Sequence, residues 1–455
     1  MSSLRGVDRG RSPRGGRGGG RGGGGIGRGN NCGGNRGGNR GGSRVGLGHV
    51  DPRESNDHSA SNAPSHSTLS KRKNKRLLAT EDLLPGDIHI FTRPTEYIGG
   101  VIVLENLQYI GSYNWVNENK PAILVPGSPP EWKDNRLPIK LAPDRGKVYV
   151  DQNAHRLPAM PLLPLFKAVD AVQHNTAINW KAVAFVTDRN GLRKLADWAD
   201  GGRKYGEFRI DMQLTGDRTV LLQRWEPSAV VQASRGSYGH NFEKISTTAY
   251  PGCEESKSHH RIVKYDLSGL TLIVRFEVDA CLPTGPSEGS GVADDLARQL
   301  SSLSVASNDP VSQGTSASRG TNSSVIRVVG GGRIVSHADI VELKTGTNPN
   351  VKIAKYRDQL LIGQTPHLFL AIHNKGNVRE IRKTQLAPAE MNGLAGLQRK
   401  FGKLRALLQS IQEFVITQGS GARLSLICKG GKLEVQRRKS QHSALPDDIL
   451  ARFVL

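Results

Sequence analysis

The sequence predicts a mixed α/β domain, a β-sheet body flanked by helices, preceded by a disordered arginine- and glycine-rich tail. Three observations predict it. The first 50 residues hold 21 of the 54 glycines, so that segment cannot bury a core. Apolar residues then recur with period two through much of the body, the pattern of half-buried strands. Late in the chain, Leu397, Phe401, Leu404, Leu408, Ile411 and Val415 step by 4, 3, 4, 3 and 4, which marks a long amphipathic helix.

The elements follow in order. Residues 1–80 carry 16 Lys/Arg against 4 Asp/Glu, and Arg-Gly-Gly triplets start at Arg14, Arg17, Arg21, Arg36 and Arg40. Glycine keeps such a segment flexible, while guanidinium groups neutralise phosphates and stack on bases, so a nonspecific RNA-binding tail is expected rather than a solubilising linker. A polar Ser/His-rich linker covers 51–70, and the run Lys71–Arg76 reads as a nuclear localisation signal or a further phosphate-contact patch. Folded sequence is expected from near Leu83 to 455, with 83–170 forming short strands and irregular loops. Lys181–Thr187 reads as a buried strand, Asp188-Arg189-Asn190-Gly191 as a turn, and the residues up to Trp198 as a helix. Phe208–Trp225 reads as a hairpin turning at Thr215-Gly216-Asp217. Residues 263–281 hold one more strand, "LTLIVRFEVDA" (270–280). Composition then shifts to Ser, Gly, Thr and Ala, so 283–325 is expected to be a disordered insertion, with a short helix at 295–303. Strand character resumes at Ile326 and at 338–345. A helix over 350–361, capped by Asn348 or Asn350 and stopped at Gly363, precedes a strand at 367–373. A last hairpin turns at Gly430-Gly431.

Composition narrows the function. The chain has 63 Lys+Arg against 41 Asp+Glu, a formal charge of +22, which points to polyanionic partners. Cys32, Cys253, Cys281 and Cys428 lie far apart without a CxxC pair, which argues against a disulfide scaffold or a zinc ribbon and fits a reducing compartment. No apolar run approaches the ~18 residues of a membrane span, and no leader pattern opens the chain, so a soluble intracellular protein with no membrane partner is expected.

The chemistry concentrates in "FEVDA" (276–280) and "VELKT" (341–345). Side chains alternate faces along a strand, so Glu277 and Asp279 share one face, and Glu342 and Lys344 share another. If the two strands are neighbours, three carboxylates and one ammonium converge. Crowded carboxylates raise one another's pKa, and a hard divalent cation such as Mg²⁺ or Mn²⁺ relieves the cost. A lysine beside them can stabilise charge on a phosphoryl group. Two amphipathic strands with solvated polar faces remain the bland alternative. His240, His259 and His260 are expected in polar loops, without ligand partners.

The two strand motifs together resemble the PD-(D/E)xK nuclease core, and their neighbours resemble the DXO decapping-nuclease family. "FVTDRNGLRKL" (185–195) is similar to the family segment whose arginine contacts substrate phosphates, which falls on Arg189. "SYGHNFE" (237–243) is similar to the G-x-x-F-E motif, which puts a metal-site glutamate at Glu243. "KYRDQLLIGQTPHLFLAIHNKGNV" (355–378) is similar to the helix and strand after E-x-K, with the substrate-contacting glutamine at Gln359. The five motifs span 185–378, and looser similarity runs from about Tyr109 to Val454. Phe276 stands where the family has glycine, and its ring is expected on the strand face opposite Glu277.

The resemblance implies a PD-(D/E)xK-type nuclease core and a metal-dependent hydrolase acting on the 5′ end of single-stranded RNA: decapping, pyrophosphohydrolysis or removal of NAD caps, with 5′–3′ exonuclease activity in some members. It implies one or two Mg²⁺ or Mn²⁺ ions held by Glu243, Glu277, Asp279, Glu342 and the Leu343 carbonyl. Lys344 and Gln359 would position water and the scissile phosphate, and Arg189 would grip a downstream phosphate. A nuclear 5′–3′ exoribonuclease is the implied protein partner, and the nucleus, with the cytoplasm as a second compartment, is the implied location. Two other readings stay open: a catalytically silent RNA-binding partner of that exoribonuclease, and a DNA-acting nuclease on the same core.

Overall fold

The computed structural model describes residues 80–95, 99–173, 178–283, 325–386 and 395–454. The expected tail, linker and basic run (Thr80 apart) lie outside the described residues. So does the insertion with its short helix, apart from Pro283 and Val325 at its ends. The described residues form a mixed α/β body built on two large sheets.

Strands are numbered along the chain. In spatial order the larger sheet begins β1 (His89–Phe91), β20 (Lys432–Arg437), β19 (Leu424–Lys429), β8 (Phe208–Thr215) and β9 (Thr219–Trp225). It continues through β7 (Phe185–Asp188), β13 (Leu270–Val278), β12 (Ser256–Leu267), β2 (Leu104–Val116), β3 (Ala122–Gly127) and β15 (Arg327–Gly332). The second sheet runs β11 (Thr247–Thr248), β4 (Glu131–Trp132), β14 (Ala280–Cys281), β16 (Ile340–Gly346), β17 (His367–Asn374), β18 (Asn377–Gln385) and β5 (Ile139–Lys140). A two-stranded ribbon joins β6 (Lys147–Tyr149) to β10 (Val230–Gln232). Seven α-helices are described: α1 (Gln152–Arg156), α2 (Leu163–Val172), α3 (Arg189–Ala199), α4 (Gly239–Ser246), α5 (Arg357–Gly363), α6 (Ala395–Gln418) and α7 (Asp447–Leu450).

Both faces of the larger sheet are covered, and strand alternation sorts side chains between two cores. On β13, Leu272, Val274, Phe276 and Val278 enter the core shared with α3 and α6, whereas Ile273 enters the one shared with α2. Phe401, Leu404, Leu408, Ile411 and Val415 of α6 lie in the first core, as their spacing predicts. The hairpins at Phe208–Trp225 and Gly430-Gly431 form as expected.

The strand expected within 263–281 forms as β13, and β12 pairs with it across Ser268-Gly269, both at positive φ (44° and 86°), as a two-residue turn demands. Three local expectations change. The Asp188–Gly191 segment is not a turn, because α3 begins at Arg189 directly after β7 and the Asp188 carboxylate is drawn to Arg275. The 350–361 helix is shorter. The Asn348 side chain accepts from the Asn350 N–H, which favours a turn; a 3-10 turn follows at Ile353–Lys355, and α5 starts only at Arg357. His259 and His260 lie buried on β12 and His240 lies on α4, none of them in a polar loop.

Candidate active site

The E-x-D and E-x-K strands belong to different sheets. β13 ends at Val278, and the chain crosses at Asp279 into β14, which pairs antiparallel with β16 (Ala280 opposite Val341). Asp279 is therefore the residue at the junction, and it meets Glu342 and Lys344 through β14 rather than through a β13–β16 ladder. Val341 and Leu343 of β16 enter the second sheet's core with Phe369 and Ala371, which leaves Glu342 and Lys344 on the opposite face. There Leu360 of α5 packs with Leu368 and Leu370, and this packing fixes the helix that carries Gln359.

Five of the sequence-selected side chains meet at this junction. The Lys344 ammonium donates to Asp279 Oδ2 (3.3 Å), to Glu342 Oε1 and to the Leu343 carbonyl (2.9 Å). Asp279 Oδ2 also accepts from the Leu343 N–H (2.9 Å). Gln359 is buried and its amide donates to Glu342 Oε1, so it is no solvent-facing helix residue. Arg189 is buried too, donating to Glu342 Oε2 at 3.1 Å and to the Glu277 carbonyl at 3.3 Å. Its guanidinium lies over the Phe276 ring, 5.1 Å from the centroid. Phe276 packs with Val274 and Val278 as alternation predicts, and it serves as the platform under Arg189.

Glu277 and Glu243 stand further out. Both line a cleft of about 720 Å³ together with Asp279 and Arg189. Glu277 is exposed, and Glu243 on α4 has the His240 ring nitrogen 3.7 Å away. The Asp144 carboxylate positions α4 by accepting from the Asn241 N–H (2.9 Å) and the Ser237 hydroxyl (2.8 Å).

The electrostatics follow from burial and company. Burial pushes the Asp279 carboxyl well above its ordinary value, with Glu342, Glu243 and Glu277 adding to the rise and Lys344 opposing it. Burial would raise Glu342 as well, but Lys344 and Arg189 outweigh it and hold that carboxyl at about 2. For Lys344, burial is outweighed by Asp279 and Glu342, so the ammonium stays charged above the usual lysine range. The oxygen donors are of the kind that suits a hard divalent cation. Among the described residues no three His, Cys, Asp or Glu side chains stand grouped around one ion-sized point, and Lys344 pairs with both Asp279 and Glu342. The donors fit a divalent ion in kind; binding one would require Lys344 to yield contacts to it.

Sequence reasoning passed over one brace. Arg275 on β13 is fully buried and pairs with Asp188 through two contacts (2.7 and 3.0 Å), while also donating to Tyr113 Oη and the Pro161 carbonyl. Arg275 and Asp188 are register partners across the parallel β13–β7 ladder, so the pair locks the strand bearing Glu277 to the end of β7, immediately before α3. An arginine between Val274 and Phe276 in an apolar strand was the available signal.

Comparison with known proteins places these features in context. The model of a family described as a domain of unknown function, DUF8563, matches residues 88–454. No curated protein matches. Among solved structures, the chain is similar to S. pombe Rai1 at 14% identity and a TM-score of 0.49, covering 77% of this chain and 99% of that one. It is similar to Candida albicans Rai1, solved in complex with pU5-Mn²⁺, at 11% identity and a TM-score of 0.45, over 80% and 99%. K. lactis Dxo1, solved in complex with manganese, is similar at 11% identity and a TM-score of 0.41, over 81% and 98%. By the match across 88–454, the chain belongs to the DUF8563 family.

Proposed function

We propose that this chain is a divalent-metal-dependent hydrolase acting on the 5′ end of single-stranded RNA, by decapping, pyrophosphohydrolysis or removal of NAD caps. The observation that carries the reading is the meeting of Asp279, Glu342, Lys344, Gln359 and Arg189, from four chain segments, at the junction of the two sheets. Each of these segments carries a motif of the DXO resemblance.

The roles follow from the contacts. Asp279, Glu342, Glu277 and Glu243, with the Leu343 carbonyl, would hold Mg²⁺ or Mn²⁺. Such an ion neutralises phosphate oxygens and activates water at neutral pH. Lys344, kept charged by Asp279 and Glu342, stabilises negative charge developing on the phosphoryl group. Gln359 orients Glu342 and the attacking water. Arg189 holds Glu342 ionised and takes a substrate phosphate by releasing part of that pairing. The folded body of 83–455 is the catalytic domain in this reading, the 1–80 segment is an RNA-binding tail, and 283–325 is an insertion outside the chemistry. The basic run at 71–76 supports a nuclear location, and a nuclear 5′–3′ exoribonuclease is the proposed partner.

The test is incubation of the full chain with Mg²⁺ or Mn²⁺ and a panel of 5′-triphosphate, capped, NAD-capped and 5′-phosphate RNAs, with the products identified. Metal-dependent release of a 5′-end product from at least one is expected. RNA binding without turnover of any of them would favour the silent-partner reading, and cleavage of duplex DNA alone would favour the DNA-nuclease reading.

A further inference from the structure

Asp188, Glu243, Glu277 and Asp279 line the cleft. Carboxylates repel an RNA backbone, so binding energy for the chain beyond the reacting end must come from cationic and aromatic groups elsewhere along the cleft. One wall is built for this. The segment from Arg145 to Tyr149, ending in β6, runs along the cleft. Lys147 and Tyr149 share one face of the strand and stand about 7 Å apart. Gly146, at φ 77°, turns the chain between Arg145 and Lys147, and Arg145 lines the same cleft.

All three side chains are exposed, and none has a hydrogen-bond or ion-pair partner among the described residues. Tyr149 is 46% exposed, with the exposed His155 ring 5.0 Å away and tilted by 51°. Two free cations beside an exposed aromatic pair are the elements of a single-strand platform: the cations follow phosphates and the ring takes a base. The segment is also firmly held. Its three-residue ladder to β10 fixes one side, and Asp144, which caps α4, fixes the other. The wall and the helix bearing Glu243 therefore share an anchor.

We propose that Arg145, Lys147 and Tyr149, with His155, form a binding rail for the RNA nucleotides 3′ of the reacting end. Tyr149, backed by His155, stacks a base on its open face, and Arg145 and Lys147 contact the phosphates that flank it. The rail rests on the 5′-end RNA reading, and it predicts that the protein prefers single strands several nucleotides long over dinucleotides.

The test uses the full chain and a 5′-phosphorylated RNA 10-mer with 2-aminopurine at the third, fourth or fifth nucleotide, with a chelator present to prevent turnover. One label position should be quenched on binding. Tyr149→Ala should abolish that quench and weaken binding of the 10-mer about tenfold, while Tyr149→Phe keeps both. Lys147→Ala should keep the quench and lower the slope of log affinity against log salt by about 0.7. The tail acts equally in wild type and variants, and because Tyr149 is exposed the variants should match wild type in circular dichroism. Wild-type quench and affinity in Tyr149→Ala overturn the rail. Failure of the hydrolase reading is distinguishable, because it appears as no product from wild type with Mn²⁺ whatever the binding result.

Discussion

Removing the Asp188 carboxylate should be among the most damaging single changes to this body. In Asp188→Ala, Arg275 would keep its charge in a site where its side chain is 0% exposed, and would lose both of its carboxylate contacts. Breaking a buried pair by deleting one partner costs about 3–5 kcal/mol, because the remaining charge is desolvated and unpaired. Tyr113 Oη and the Pro161 carbonyl still accept from Arg275, which argues for the lower end, about 3 kcal/mol. Asp134→Ala is the control. Its pair with Lys383 has side chains 71% and 42% exposed, so its loss should cost under about 1 kcal/mol. The double variant Asp188→Ala/Arg275→Met removes the charge altogether and should recover much of the loss. Urea unfolding followed by tryptophan fluorescence reads all four proteins. An Asp188→Ala midpoint equal to that of the control, or a double variant no better than the single one, would refute the buried-charge argument.

Other outcomes follow from the same contacts. Lys344→Ala should lower turnover of 5′-triphosphate RNA by about 10²–10³ while RNA binding survives, since the ammonium acts on developing charge; a rate within threefold of wild type removes the assigned role. Burial pushes His259 well below its ordinary pKa and pushes His260 and His337 to about 4. The unfolded chain then binds more protons than the folded one between about pH 6.5 and 4, so stability should fall as pH drops through that window, by up to ~1.4 kcal/mol per unit for each histidine. A urea midpoint unchanged between pH 7 and pH 5.5 would contradict this. Deleting residues 1–79 should flatten the salt dependence of RNA affinity and leave hydrolysis of a short substrate intact, as a comparison of salt titrations and initial rates will show.

Much of the body could be read directly from the chain. The 4-3-4-3-4 stripe of α6 and the Phe208–Trp225 hairpin are local patterns, and local patterns survive folding. Their surroundings were less legible. Arg209, Asp211 and Gln213 alternate with apolar residues on β8 and look solvated in sequence, yet all are buried. Arg209 pairs with Asp82 as well as with Asp211 beside it on β8, and Gln213 bonds Ser443, so Asp82 and Ser443, far away in sequence, supply partners. The site shows the same division. E-x-D and E-x-K named Glu277, Asp279, Glu342 and Lys344, but the switch between sheets at Asp279 depends on which strand β14 finds, and no local signal encodes that. The early start of α3 was hidden because the carboxylate expected to make a turn is spent on Arg275. The buried position of Gln359 depends on apolar packing of α5 against β17, which a seven-residue helix does not announce.

In the proposed function, the carboxylates at the sheet junction support metal-dependent hydrolysis at an RNA 5′ end. The most direct measurement is release of label from 5′-triphosphate RNA with Mn²⁺, comparing wild type with Asp279→Asn/Glu342→Gln, whose folding is checked by circular dichroism. Wild type should release label in a metal-dependent way, and the folded double variant should release it at least ~10²-fold more slowly. Equal release by both proteins would contradict it.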